Sequence, residues 1–123
     1  MKYVLMFVSD PDEDAKVAPE DLQADYKRIY EWFGTHAEHI VDGGAELLGK
    51  ETATSVRYGA DGPVVVDGPF NEAKEVIGGF SILDVADMDA AIAIARTWPS
   101  LGIPGTVVEI RPMVEDYSQF EEQ

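Results

Sequence analysis

After Lys2 the chain runs Tyr-Val-Leu-Met-Phe-Val without a charge and then breaks into Ser9-Asp10-Pro11-Asp12, a pattern that predicts a strand closed by a turn. Tyr3, Leu5 and Phe7 lie on one face of that strand and Val4, Met6 and Val8 on the other, so both faces are apolar. Further on the period lengthens. Leu22, Tyr26, Ile29, Phe33, Ala37 and Ile40 recur at steps of three and four, the signature of one apolar helix stripe. With Pro19 in its first turn, Glu20 and Asp21 favouring its N-terminal dipole and Gly43-Gly44 as a stop, the helix is predicted over 19–42. A short strand at 45–49 follows, then a hairpin with arms 55–58 and 64–66 turned by Gly59-Ala60-Asp61-Gly62-Pro63.

Asp67-Gly68-Pro69-Phe70 reads as a tight turn, and the mixed-charge stretch 71–75 carries no periodic signal. Residues 76–83 predict a strand with Gly78-Gly79 in its middle, where glycine marks a bulge or the close approach of another group. Asp87 is a good N-cap for a helix over 88–98, with Ala91, Ile94, Ala95 and Trp98 on one face and Pro99 ending it. A last strand spans 106–111. From Val114 the chain is an acidic tail, weakly apolar at Tyr117 and Phe120.

The order β-α-β-β-β-β-α-β predicts an α+β fold, an antiparallel sheet with two helices on one face. Helices on one side leave the second apolar face of the sheet uncovered. A large uncovered apolar patch marks an interface, so a homodimer paired through the sheet face is expected.

The 123 residues suit one domain, and 46% hydrophobic residues exclude wholesale disorder. Without cysteine there is no disulfide, thiolate nucleophile or cysteine-held metal. Twenty-four acidic against nine basic side chains give a net charge of −15, which repels phosphate backbones and argues against nucleic-acid binding. The longest apolar run falls short of a membrane span and precedes Asp10, Asp12, Glu13 and Asp14, so a cytoplasmic protein without membrane contact is expected. The same acidity would also suit adaptation to high salt.

Candidate chemistry is sparse. Trp32, His36 and His39 stack along one shoulder of the long helix, with His36 about 60° from the centre of the apolar stripe and His39 further round. His36 therefore sits at the core rim, as a hydrogen-bonded boundary histidine or as a general acid/base. With Glu38 or Asp42 the two histidines form only a weak metal signature. Asp67 enters a Gly-Pro turn, where its carboxylate satisfies backbone N–H groups or faces a cavity. Glu72, Lys74 and Glu75 order a pocket mouth or form a solvated charged face. Glu109 and Arg111 share a face of the last strand, as a structural pair or with the guanidinium offered to an anionic ligand. A cleft between the long helix and the sheet would then hold His36 and Asp67 as catalytic residues and Trp32, Glu72, Lys74 and Arg111 as ligand contacts. No phosphate loop or dinucleotide fingerprint appears, and no cofactor is expected.

Asp67-Gly68-Pro69-Phe70, followed by Glu72, Lys74, Glu75 and Gly78-Gly79-Phe80, stands between the opening Met1-Lys2-Tyr3-Val4-Leu5 and the late Val108-Glu109-Ile110-Arg111-Pro112. In that order the string resembles the YCII-related proteins, specifically their DGPF branch, with one domain over 1–115 and an acidic tail over 116–123. The resemblance implies a ferredoxin-like fold that pairs as a dimeric α/β barrel. It implies little chemistry: members of the branch are mostly uncharacterised bacterial proteins, often encoded beside extracytoplasmic-function sigma factors. The wider family includes proteins regarded as enzymes through a histidine–aspartate pair. One related branch dehalogenates an aromatic-catabolism intermediate, but its motifs are not matched here. Two functions follow as expectations: a homodimeric small-molecule-binding protein or small enzyme with a His/carboxylate cleft, or a non-enzymatic interaction module linked to sigma-factor control.

Overall fold

The chain runs β1 (Lys2–Ser9), α1 (Pro11–Asp14), α2 (Pro19–Thr35), β2 (Ile40–Glu46), β3 (Thr54–Arg57), β4 (Val64–Asp67), β5 (Val76–Asp84), α3 (Met88–Ala95) and β6 (Val107–Pro112). This is a computed structural model, and it describes residues 1–69 and 73–121. The α+β class is as the hydrophobic pattern predicts, with three helices rather than two. The additional helix, α1, replaces an expected turn: Asp10 accepts from the Asp12 N–H and Pro11 takes the first helical position, so the local chemistry closes one helical turn.

Four antiparallel strands form an open sheet in the order β2, β5, β1, β6, while β3 and β4 pair separately as a two-stranded hairpin. Facing partners share a side of the sheet, so Tyr3 with Leu83 and Leu5 with Ser81 define one face and Val4 with Ile82 and Met6 with Phe80 the other. The first face meets the helices. Tyr3, Leu5 and Leu83 pack there with Trp32 of α2, Ala91, Ile94 and Ala95 of α3, and Trp98 beyond it. Among the described residues α2 and α3 pack on that first face, and on the other Ile77, Phe80 and Val107 remain 46%, 37% and 43% exposed.

Two boundaries differ from the pattern-based expectation for one reason. The long helix ends at Thr35 rather than 42, because Ile40 pairs with Leu83 at the sheet edge instead of completing the helix stripe. Gly43-Gly44 is then no helix stop. The register slips between Asp42 and Ala45, Gly44 takes φ 71°, and a Cβ there would overlap the Phe80 carbonyl. Gly78-Gly79 holds the expected irregularity: the β1–β5 register shifts at Phe7/Val8, which turns Ile77 to the same face as Phe80 and Ile82. A Cβ on Gly79 would lie 2.7 Å from the Ala45 carbonyl oxygen, so glycine here lets β2 approach β5.

Candidate functional site

Where β2 and β5 come together at these glycines, α2 does not close down on them. Between helix and sheet lies a cavity of about 520 Å³, within the usual range for small-molecule sites. Its apolar wall is made by Phe7, Leu22, Ile29, Phe33 and Trp98, and its floor by Gly43, Gly44, Gly78 and Gly79. Phe7 stacks on Trp98 with centroids 3.9 Å apart, which fixes the aromatic end.

Polar groups also line the cavity. Asp25, buried on α2, accepts a 2.6 Å bond from the Ser100 hydroxyl and lies 3.8 Å from the Arg28 guanidinium. One residue on, the Tyr26 hydroxyl donates to Glu46 of β2 at 2.8 Å, linking helix to sheet edge across the mouth. Asp14 also lines the cavity. The Tyr26 pKa is raised, first by its bond to Glu46, then by burial and by the negative charges of Glu46, Asp25 and Asp14. A shallower groove shares Ser9, Asp14, Glu46 and Gly78 with this cavity and runs past Leu47 to Lys50.

Of the residues selected from the sequence, Trp32, His36, Asp67, Lys74 and Arg111 are described, and none of these lines the cavity. Trp32 is 4% exposed and belongs to the core, its indole N–H donating to Thr97 Oγ1 at 2.9 Å. His36 caps the end of α2, packs 5.0 Å from the Trp32 ring and places Nε2 3.2 Å from the same Thr97 oxygen. Since the Thr97 hydroxyl hydrogen goes to the Ile94 carbonyl, His36 must donate through Nε2–H. Trp32 and His36 are thus brought together on Thr97, tying the end of α2 to the end of α3. Asp67 ends β4 on the exposed hairpin. Arg111 pairs with Glu109 at 3.0 Å, both exposed, and register with Val4 puts it on the sheet face away from the helices. The expected cleft bordered by His36, Asp67 and Arg111 is therefore not one place: the sheet itself separates Arg111 from the helix side. Lys74 lies 3.4 Å from the buried carboxylate of Asp10. Glu72 lies outside the described residues, as does Phe70. Among the described residues no three His, Asp or Glu side chains are placed to share a metal ion, and no helix is long and apolar enough to cross a membrane.

The His36 pKa is lowered, first by burial and then by the nearby His39. The neutral form is thus favoured in the fold, and its stabilisation is fully present above 6.5 and lost as the pH falls below it toward the folded pKa. Gln at this position can donate to Thr97 without titrating. The melting-temperature advantage of the wild type over His36→Gln should therefore shrink as the pH is lowered through 6.5; a gap that stays constant would show that burial of the ring is not felt.

Sequence reasoning missed Asp25, Tyr26, Glu46 and Ser100. The only local signal was Tyr26, a hydroxyl-bearing residue in an otherwise hydrocarbon stripe, beside an Asp three residues before an Arg.

The profile of the YCII-related domain matches residues 1–115, nearly the whole chain. An uncharacterised protein of Rhizobium meliloti (strain 1021) is 35% identical over 69 residues, which is 56% of this chain and 56% of that protein. The chain thus spans little more than half the length of the curated relative it matches. Together with an open antiparallel sheet carrying helices on one face, the match over 1–115 shows that this chain belongs to the YCII-related family.

Proposed function

We propose that this protein is a small-molecule-binding protein whose ligand enters the cavity between α2 and the β2–β5 edge. The observation that carries this is the cavity: about 520 Å³, lined both by aromatic rings and by carboxylates and hydroxyls. Such a lining suits a ligand with one apolar and one polar part. With the one-turn α1 and the β3–β4 hairpin set aside, the order β-α-β-β-α-β and strand order β2, β5, β1, β6 support a ferredoxin-like reading, and the Asp67-Gly68-Pro69 turn supports the DGPF branch. The uncovered face carrying Val4, Met6, Ile77, Phe80, Ile82 and Val107 supports a homodimer built sheet to sheet, in the manner of a dimeric α/β barrel.

Protein-observed NMR with an aromatic fragment set of mixed charge tests the binding site. At least one fragment should shift the amides of residues 43–46 and 78–79, and Leu22→Trp, which fills the cavity from its wall, should abolish those shifts while keeping the remaining spectrum. Shifts confined to other regions, or unchanged in Leu22→Trp, would place binding elsewhere.

A further inference from the structure

The cavity is not neutral in its hydrogen-bonding character. The Tyr26 hydroxyl already donates to Glu46, and the Ser100 hydroxyl already donates to Asp25. Each oxygen can then only accept, and the two carboxylates they bond are acceptors as well. The acidic side of the cavity therefore presents lone pairs from Tyr26, Glu46, Asp25, Ser100 and Asp14, and none of its described lining residues is basic. Ser9 and Thr106 are the lining hydroxyls free to adapt in either direction. Among the described residues neither Asp14 nor Glu46 is held in an ion pair, while Arg28 reaches Asp25 only at 3.8 Å.

The same cavity is lined by the rings of Phe7, Phe33 and Trp98. An anionic ligand would add charge beside three carboxylates in a partly desolvated space, and a neutral acceptor would find few donors. A cation satisfies both sides: its N–H groups make charge-assisted bonds to carboxylates, and its charge is attracted to aromatic faces. We propose that the ligand is an organic ammonium ion, with a compact aromatic or aliphatic body seated against Phe7, Phe33 and Trp98 and its ammonium group received by Glu46, Tyr26 and Asp14. This rests on the cavity being the binding site and names the ligand's chemical class. The upward displacement of the Tyr26 pKa by all three acids agrees with a site that favours positive charge.

Isothermal titration at low ionic strength with phenethylamine, 2-phenylethanol and 3-phenylpropionate separates the charge from the body. The amine should bind at least about tenfold more tightly than the alcohol, and the acid should not bind. Glu46→Gln and Asp14→Asn should each remove most of the amine's advantage. Glu20→Gln, which removes an exposed charge on the first turn of α2 outside the cavity lining, should leave it intact and so exclude diffuse attraction by the net charge. Equal affinity of amine and alcohol, or equal losses in all three variants, would overturn the ammonium assignment while leaving the cavity as a binding site. Binding of none of the three, with no shift at 43–46 or 78–79 under the mixed-charge fragment set, would remove both.

Discussion

Replacing Trp32 by alanine is expected to lower the stability of the chain by about 3–5 kcal/mol, the range for deleting a fully enclosed aromatic side chain. Trp32 is the hub of the aromatic core. It meets Phe7 edge-on at 6.2 Å, Phe33 at 5.1 Å and Trp98 at 5.0 Å, with His36 tilted against it at 5.0 Å. Removing the indole leaves a void that four rings border and that none can fill without breaking its own contacts, so relaxation recovers little. The bond to Thr97 adds a smaller amount, because Thr97 is exposed enough for water to replace the indole N–H. Trp32→Phe separates the two: it keeps most of the packing and should lose only about 1–2 kcal/mol. Urea midpoints at unchanged slope are the measurement, and an alanine variant within about 1 kcal/mol of wild type would show that the cluster is not the centre of the core. Since Trp32 does not line the cavity, Trp32→Phe should also leave ligand affinity unchanged, which distinguishes a core residue from the ligand contact its position on the helix shoulder suggested.

That contrast shows where the sequence was legible. Periodicity located β1, β5 and both long helices, because the burial of Leu5, Leu83, Ala91 and Ile94 is what it encodes, and β3, β4 and β6 also fall where expected; the strand expected at 45–49 instead runs over Ile40–Glu46, its first residues having been read as the end of the helix stripe. The family was equally readable, and the YCII-related profile matches residues 1–115. The site was not. Its floor is made by Gly43, Gly44, Gly78 and Gly79, which have no side chain to announce a function, and its acidic groups and their hydroxyl partners come from α1, α2, β2 and the turn after α3, which only the fold brings together. Histidine draws attention by its titration near neutrality, but His36 sits where its N–H meets Thr97 and anchors two helix ends. Gly43-Gly44 misled for a related reason: a helix stop and a strand bulge use the same permissive residue, and only the Ile40–Leu83 pairing decides between them.

The uncovered sheet face yields the other large effect. Ile82 lies on the central strand β5 opposite Val4 of β1 and Asp42 of β2, with Phe80 further along the same face. In the proposed homodimer a two-fold axis through this face buries Ile82 against its counterpart, and any substitution enters the interface twice. Ile82→Lys would bring two ammonium groups into an apolar contact, where a buried unpaired charge costs several kcal/mol. In the lone chain the same lysine reaches water beside Asp42, so the fold survives. The wild type should sediment at twice the chain mass and Ile82→Lys at one chain mass with an unchanged circular-dichroism spectrum. Size also constrains the arrangement: four strands at about 4.8 Å spacing and about 20 Å length offer on the order of 400 Å² of flat face, about half of what a standard interface buries per partner. The sheet alone is therefore too small for a tight dimer. Val56, Tyr58 and Val65 of the hairpin region, 68%, 92% and 67% exposed, carry further apolar area that a partner could cover. If the face pairs, Tyr58→Ser should weaken the dimer without abolishing it, whereas a wild type that sediments as a monomer at micromolar concentration would leave the apolar face without the partner assigned to it.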